Sequence, residues 1–204
     1  DREGASFFGT VDQIRERLKA EPLLLQIPVG IGPPHVADPF RGVIDLITME
    51  AVTFPPKEEV LSGAAAAVEP IRSSIPAELE AEAATWREQL VSTLFDYSDE
   101  LAELAIAEAA IPVELMRETV RKATLERKVI PVFAGSALDC IGVQPVLDAV
   151  TWYLPSPADV PPVEGLDPKK KEPVTIQRPP DPDAPFCGLV FKILAEKHGD
   201  IAFV

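Results

Sequence analysis

The stretch IPVFAGSALDCIGVQPVLDAV, residues 130–150, passes from a strand pattern to a helix pattern through a short turn. Its first residues are apolar and of strand length, Gly135-Ser136-Ala137 is a turn of small residues, and an amphipathic helix is predicted from Val143 to about Tyr153. Gly142 separates the turn from this helix. Two interpretations are open. The glycines serve a tight chain connection, or the amides of the turn face a ligand that large side chains would block.

Upstream of this stretch the patterns predict a helix and then strands. Ser6 is a typical N-cap residue, and it precedes apolar residues at helical spacing: Phe7, Val11, Ile14 and Leu18. After Glu21-Pro22, the run LLLQIPVG (residues 23–30) has the length of a strand. Residues 40–54 alternate and predict one or two strands with a hairpin, whereas the pattern of residues 55–68 is ambiguous.

The segment from Pro76 to Lys128 predicts acidic helices. Apolar residues recur every three or four positions from Leu79 to Leu104, which indicates one helix or two helices broken near Ser98. A third helix is predicted from Ile111-Pro112 to the basic end Arg127-Lys128. Between Pro76 and Ala110, nine acids against the single base Arg87 give −8 of the chain's net charge of −14.

The composition excludes several classes of protein. A net charge of −14 repels phosphates and argues against nucleic-acid binding through the average field. No run of 18 apolar residues is present, so no membrane span is predicted. Cys140 and Cys187 form no disulfide framework or metal-ligand pattern, which favours a reducing compartment. The start Asp1-Arg2-Glu3 has no initiator Met and no signal pattern, so we expect a piece of a longer protein.

A proline-rich segment separates these patterns from the end of the chain. Residues 155–185 contain ten of the 22 prolines, which predicts a linker without helix or sheet ladder. The alternating run FCGLVFKIL, residues 186–194, predicts the first strand of a new domain.

Taken in order, these segments resemble the elongation factor G family of translational GTPases. The start DREGASFFGTVDQIRERL is similar to the segment that ends that family's Asn-Lys-x-Asp motif, and GSALDCIGVQPVLDAVTWYLPSP is similar to its base-binding loop and final helix. The resemblance implies an α/β fold: the C-terminal half of a P-loop-type GTPase domain with an α+β insert (G′), then the first strand of a β-barrel domain. The implied regions are GTPase domain 1–30, insert 31–128, GTPase domain 129–157, linker 158–185 and barrel start 186–204.

The resemblance also implies a guanine site. Asp1 would be the motif's terminal Asp, whose carboxylate suits the two N–H donors of guanine. Main-chain amides of Ser136 and Ala137 would donate to guanine O6, and Leu138 would pack beside the base. The cofactor that the resemblance implies is GTP or GDP, with Mg²⁺ ligands, phosphate-binding loop and catalytic residues expected outside this chain. We therefore expect GTPase activity in the intact protein and none in this segment alone.

One departure from the family pattern lies in this loop. A Lys commonly follows the Ser-Ala-x element, but Asp139, Cys140 and Ile141 stand here, which predicts weaker nucleotide binding and hints at a divergent paralogue.

The implied function is a ribosome-associated factor that couples GTP hydrolysis to translocation, in the cytoplasm or the mitochondrial matrix. A ribosome-recycling paralogue is the alternative. For the segment alone, the alternative is an acidic module (helices 76–128) that binds the ribosomal stalk protein. Contact with ribosomal RNA is expected only in the intact factor.

Overall fold

The computed structural model describes residues 1–61, 69–167, 169, 170, 172, 174–197 and 199–203. The chain divides into two compact units, Asp1–Leu154 and Pro155–Val204. The ambiguous segment 55–68 contains a short helix, and its residues 62–68 lie outside the described residues. No described helix is long and apolar enough to cross a membrane.

The first unit is a mixed α/β arrangement of two sheets and six helices among the described residues. In chain order its elements are α1 (Phe7–Leu18), β1 (Pro22–Leu24), β2 (Gln26–Val29), β3 (Gly42–Asp45), β4 (Glu50–Thr53), α2 (Lys57–Leu61), β5 (Ile71–Ser73), α3 (Ala77–Leu94), α4 (Asp99–Ile106), α5 (Val113–Leu125), β6 (Ile130–Val132) and α6 (Val143–Tyr153). β1 and β6 form a parallel pair, and β2, β3, β4 and β5 form an antiparallel sheet in that order.

The apolar run at residues 23–30 supplies strands to both sheets. Leu25 lies between β1 and β2; its N–H donates to the carbonyl of Val132 at 3.1 Å, and its own carbonyl accepts from the N–H of Leu46 at 2.9 Å. The run therefore changes sheets at this residue, although its composition suggested a single strand. Leu25 is 2% exposed, since both sheets pack around it.

The helix predictions are confirmed at their caps. The Ser6 hydroxyl accepts the N–H of Gly9 at 3.2 Å and begins α1, as N-cap residues do. Ser98 caps α4 in the same way through the N–H of Leu101, and it follows a 3₁₀ turn that ends α3. The acidic segment therefore forms two helices broken at Ser98, and Pro112 precedes α5.

Helix α3 is fixed to the antiparallel sheet by one arginine. Arg87 donates to the carbonyls of Leu46 and Ile47, which follow β3, the second at 3.0 Å. Burial lowers the pKa of Arg87 below its ordinary value, and the nearby Asp45 carboxylate opposes that shift. The only base between residues 76 and 110 thus points to main-chain carbonyls, so it leaves the acidic surface without a cation of its own.

Among its described residues, the second unit contains two antiparallel hairpins: β7 (Val163–Leu166) with β8 (Thr175–Arg178), and β9 (Lys192–Glu196) with β10 (Gly199–Phe203). The prediction that residues 155–185 exclude a sheet ladder is wrong, because the prolines flank β7 and β8 and none lies inside either strand. The strand predicted from Phe186 begins at Lys192.

Candidate nucleotide-base site

The turn after β6 is closed by its own main chain. Ser136 and Ile141 exchange two hydrogen bonds, each 2.9 Å long, which leaves residues 137–140 as a tight loop. A Cβ at Gly135 would lie 2.8 Å from the Ile141 carbonyl oxygen. Gly142 has φ +79°, and a Cβ there would lie 2.7 Å from the Ala134 carbonyl oxygen. Both glycines are therefore required by the close approach of the chain to itself, which is the tight-connection interpretation.

The closed loop changes which amides a ligand can reach. The N–H of Ser136 donates to the carbonyl of Ile141 at 2.9 Å, so in this structure it is engaged within the loop. Among the described residues, none accepts a hydrogen bond from the amides of Ala137 and Leu138. Leu138 is 58% exposed, so its side chain is available for an apolar contact.

The structure brings Asp1 to this turn. The Ser136 hydroxyl donates to the Asp1 carboxylate, with 2.7 Å between Oγ and Oδ2. Ser136 is only 4% exposed, so this bond holds the carboxylate beside the loop from a buried position. Two residues separated by almost the whole first unit in sequence are thus neighbours in space.

A second carboxylate, Asp139, contacts the same hydroxyl. Asp139 Oδ2 lies 3.3 Å from Ser136 Oγ, and the Asp139 N–H donates to that oxygen at the same distance. The Nζ of Lys57, at the start of α2, lies 3.8 Å from Asp139 Oδ1. Sequence reasoning singled out Asp139 as a departure but missed Lys57, since residues 55–68 carry no pattern that points to this turn.

A cavity of about 380 Å³ opens next to Asp1. Its walls come from α1, β2, the loop after β2 and the end of β6, and they include Phe7, Gly30, Phe40 and Gly135. Of the four predicted site residues, Asp1 lines this cavity, while Ser136, Ala137 and Leu138 lie outside its lining. The turn and the cavity therefore meet at Asp1.

The turn combines a carboxylate acceptor, Asp1, with main-chain amides that have no partner among the described residues. One carboxylate accepts two N–H groups in charge-assisted bonds, and a neighbouring unpaired amide donates to a carbonyl oxygen. The described residues contain no cluster of three His, Cys, Asp or Glu side chains that could hold a metal.

The fold defines an α/β protein in which a strand, a tight turn and a helix follow one another at the candidate site. Comparison with known proteins identifies its relatives. No protein-family model matches the chain. The chain matches a crystal structure of a protein from Thermus thermophilus with a TM-score of 0.59, over 98% of this chain and 28% of that one. At 18% identity, this likeness shows a shared fold.

The sequence itself is 39% identical, over all 204 residues, to Elongation factor G 2 of Geobacter metallireducens. The predicted resemblance is confirmed, and the chain belongs to the elongation factor G family. It spans 28% of the length of that relative.

Proposed function

We propose that this chain supplies the base-recognition part of a GTP/GDP site in a ribosome-associated translation factor. The observation that carries the proposal is the 2.7 Å bond between the Ser136 hydroxyl and the Asp1 carboxylate, which holds an acceptor beside a loop with unpaired amides. In the natural protein, GTP hydrolysis would then be coupled to translocation on the ribosome, as the family membership suggests.

Each residue of the site has a distinct proposed role. Asp1 accepts the N1–H and N2–H of guanine, and Ser136 fixes the plane of that carboxylate through its hydroxyl. The amide of Ala137 donates to O6, a role that the engaged amide of Ser136 cannot share. Leu138 covers the edge of the base. A bidentate contact of this kind gives about 1–3 kcal/mol of base discrimination, so adenine is rejected.

Phosphate chemistry lies outside this chain. The sequence contains no Gly-x-x-x-x-Gly-Lys-[Ser/Thr] loop, whose amides and Lys would hold the phosphates beside a Mg²⁺ ion. We therefore propose that this segment recognises the base, and that hydrolysis requires residues of the natural protein beyond it.

The test is nucleotide binding by the natural full-length protein that contains this chain. We expect GDP to bind more tightly than inosine diphosphate, which lacks the N2 amino donor, by roughly the 1–3 kcal/mol of one lost contact, and ADP to bind far more weakly. Asp1→Asn should weaken GDP binding at least tenfold and reduce the preference over inosine diphosphate.

Asp12→Asn is the matched control, because Asp12 is an exposed carboxylate on α1 that pairs with Arg15 at 3.7 Å. It should leave all three affinities unchanged. Equal GDP affinity of the Asp1→Asn variant and the unmodified protein would refute the base-recognition role.

A second candidate function rests on a different surface. All nine acids between Pro76 and Ala110 are exposed, and the one base there, Arg87, is directed to main-chain carbonyls. We propose that this surface, which we call the acidic face, binds a basic domain of the ribosomal stalk protein. Complementary charge of this kind raises the association rate more than the affinity.

Charge neutralisation tests the acidic face. A variant with Glu78, Glu82, Asp99 and Glu103 changed to their amides should bind the stalk domain more slowly, by about tenfold at low salt. A variant of the second unit with Asp181→Asn and Asp183→Asn removes two exposed charges elsewhere and should bind normally. Absence of binding at low ionic strength by the unmodified protein would reject this candidate.

Translocation and recycling differ in their products, so a reconstituted ribosome assay separates them. We propose translocation, with recycling as the alternative; movement of the ribosome along messenger RNA supports the first and separation of the subunits supports the second. Contact with ribosomal RNA is proposed only for the intact factor. The proposed compartment is the cytoplasm, with the mitochondrial matrix as the alternative.

A further inference from the structure

In the turn after β6, two carboxylates compete for the hydrogen of the buried Ser136 hydroxyl. The hydroxyl of Ser136 has a single hydrogen to donate. Its Oγ lies 2.7 Å from Asp1 Oδ2 and 3.3 Å from Asp139 Oδ2, so both acids are within reach of it. The shorter contact favours Asp1, whose carboxylate is thereby restrained. A change that makes Asp139 the preferred acceptor of this hydrogen would therefore remove the hydrogen bond that restrains Asp1.

Lys57, which is distant in sequence from the turn, forms an ion pair with Asp139, the second carboxylate beside Ser136. The Nζ of Lys57 lies 3.8 Å from Oδ1 of Asp139, which is the oxygen that does not face Ser136. Lys57 and Asp139 side chains are 35% and 41% exposed, so solvent screens the pair and its contribution is modest. The pair draws the negative charge of Asp139 away from the shared hydroxyl.

We propose that Lys57 is a positioning residue for base recognition: it restrains and neutralises Asp139, so that the Ser136 hydroxyl orients Asp1 toward the base. This inference rests on the proposed guanine site and adds a residue to it from helix α2. Lys57 acts only through Asp139, since within the described part of the chain its ammonium group forms an ion pair with Asp139 and none with Asp1.

The discriminating measurement is the ratio of GDP to inosine diphosphate affinity in the natural full-length protein. A general loss of positive charge weakens both nucleotides equally, because both carry the same phosphates. A misoriented Asp1 weakens GDP more, because only guanine offers the N2 amino donor. The ratio therefore separates positioning from a general electrostatic effect.

Lys57→Met should lower GDP affinity about two- to fivefold, the range expected for one partly exposed ion pair, and lower the GDP preference by a similar factor. Lys57→Met combined with Asp139→Asn should return both values to within about twofold of the unmodified protein, since the rival charge is gone. Lys57→Arg keeps the cation and should preserve binding. Lys128→Met, at the other end of the strand that leads to the turn, is the control and should change nothing.

The outcomes separate this inference from the proposed function. If GDP binding is insensitive to Asp1→Asn, the guanine site itself is refuted. If Asp1→Asn weakens binding but Lys57→Met does not, or weakens both nucleotides equally, the role of Lys57 is refuted and the site stands. Failure of the double variant to recover, with an unchanged melting temperature, also overturns the inference.

Discussion

The two compact units differ in how they remove apolar side chains from water. The first unit buries residues such as Ile44, Leu94 and Leu101 completely, around sheets and helices that share one main core. In the second unit none of the described residues is buried, and large side chains such as Phe186 and Phe191 are 89% and 70% exposed. Stability should therefore be concentrated in residues 1–154, because two-stranded hairpins have no interior of their own.

The largest difference in the free energy of unfolding is expected for a matched pair of leucine truncations, one in each unit. Leu94→Ala removes a fully buried side chain and should lower the free energy of unfolding by about 2–5 kcal/mol. Leu189→Ala removes a side chain that is 80% exposed, so the change should stay within about 0.5 kcal/mol. Urea denaturation followed by circular dichroism measures both. Similar losses for the two variants would contradict the difference between the units.

A matched pair of glycines tests backbone constraint in the same two units. Gly142→Ala places a Cβ 2.7 Å from the Ala134 carbonyl at φ +79°, and should cost about 1–3 kcal/mol. Gly165→Ala in β7 meets no atom within 4 Å, so we expect a change of less than about 0.5 kcal/mol. Thermal unfolding of the two variants provides the comparison. A tolerated Gly142→Ala would show that the turn can move away from Ala134.

The smallest expected effect depends on pH. Tyr153 is 2% exposed, and burial raises the pKa of its phenol, a shift that the nearby Arg117 partly offsets. The neutral phenol is favoured by folding, so its contribution is complete below an unfolded pKa of about 10 and declines as the pH rises above it. The second unit contains no tyrosine, so this dependence belongs to the first unit.

Tyr153→Phe should therefore flatten the loss of stability between about pH 10 and 11, by up to roughly 1 kcal/mol at the upper end. Denaturant titrations of the variant and the unmodified chain at pH 7, 10 and 11 measure the effect. Identical slopes in both proteins would show that the phenol is not desolvated as described.

The helices could be predicted from the sequence because their caps and their apolar spacing depend on residues that are close together in the chain. Ser6 and Ser98 cap helices with side chains that reach amides three residues away, and the apolar spacing from Leu79 to Leu104 is a property of one segment. The change of sheet at Leu25 could not be predicted in the same way, since its partners are Val132 and Leu46. The hairpin of β7 and β8 does not follow from the proline content of residues 155–185, because it depends on where the prolines lie: all are outside the two strands.

The candidate site was predicted in part for a similar reason. The proximity of Asp1 and Ser136 followed from the resemblance to a family, and no spacing in the chain indicates it alone. The engagement of the Ser136 amide depends on Ile141 closing the loop, and the ion pair of Asp139 depends on Lys57. Such contacts arise from tertiary packing, which a pattern of residue types does not encode.

The shared position of Leu25 has a mechanical consequence. One residue hydrogen-bonds to both ladders, so pulling the antiparallel sheet away would strain a bond to Val132, the last residue of the strand that leads into the loop of Ser136. Leu25 alone makes both contacts, so no further residue separates the two sheets at this point. A displacement of strands β2–β5 would thus act directly on the strand that leads into the loop of Ser136.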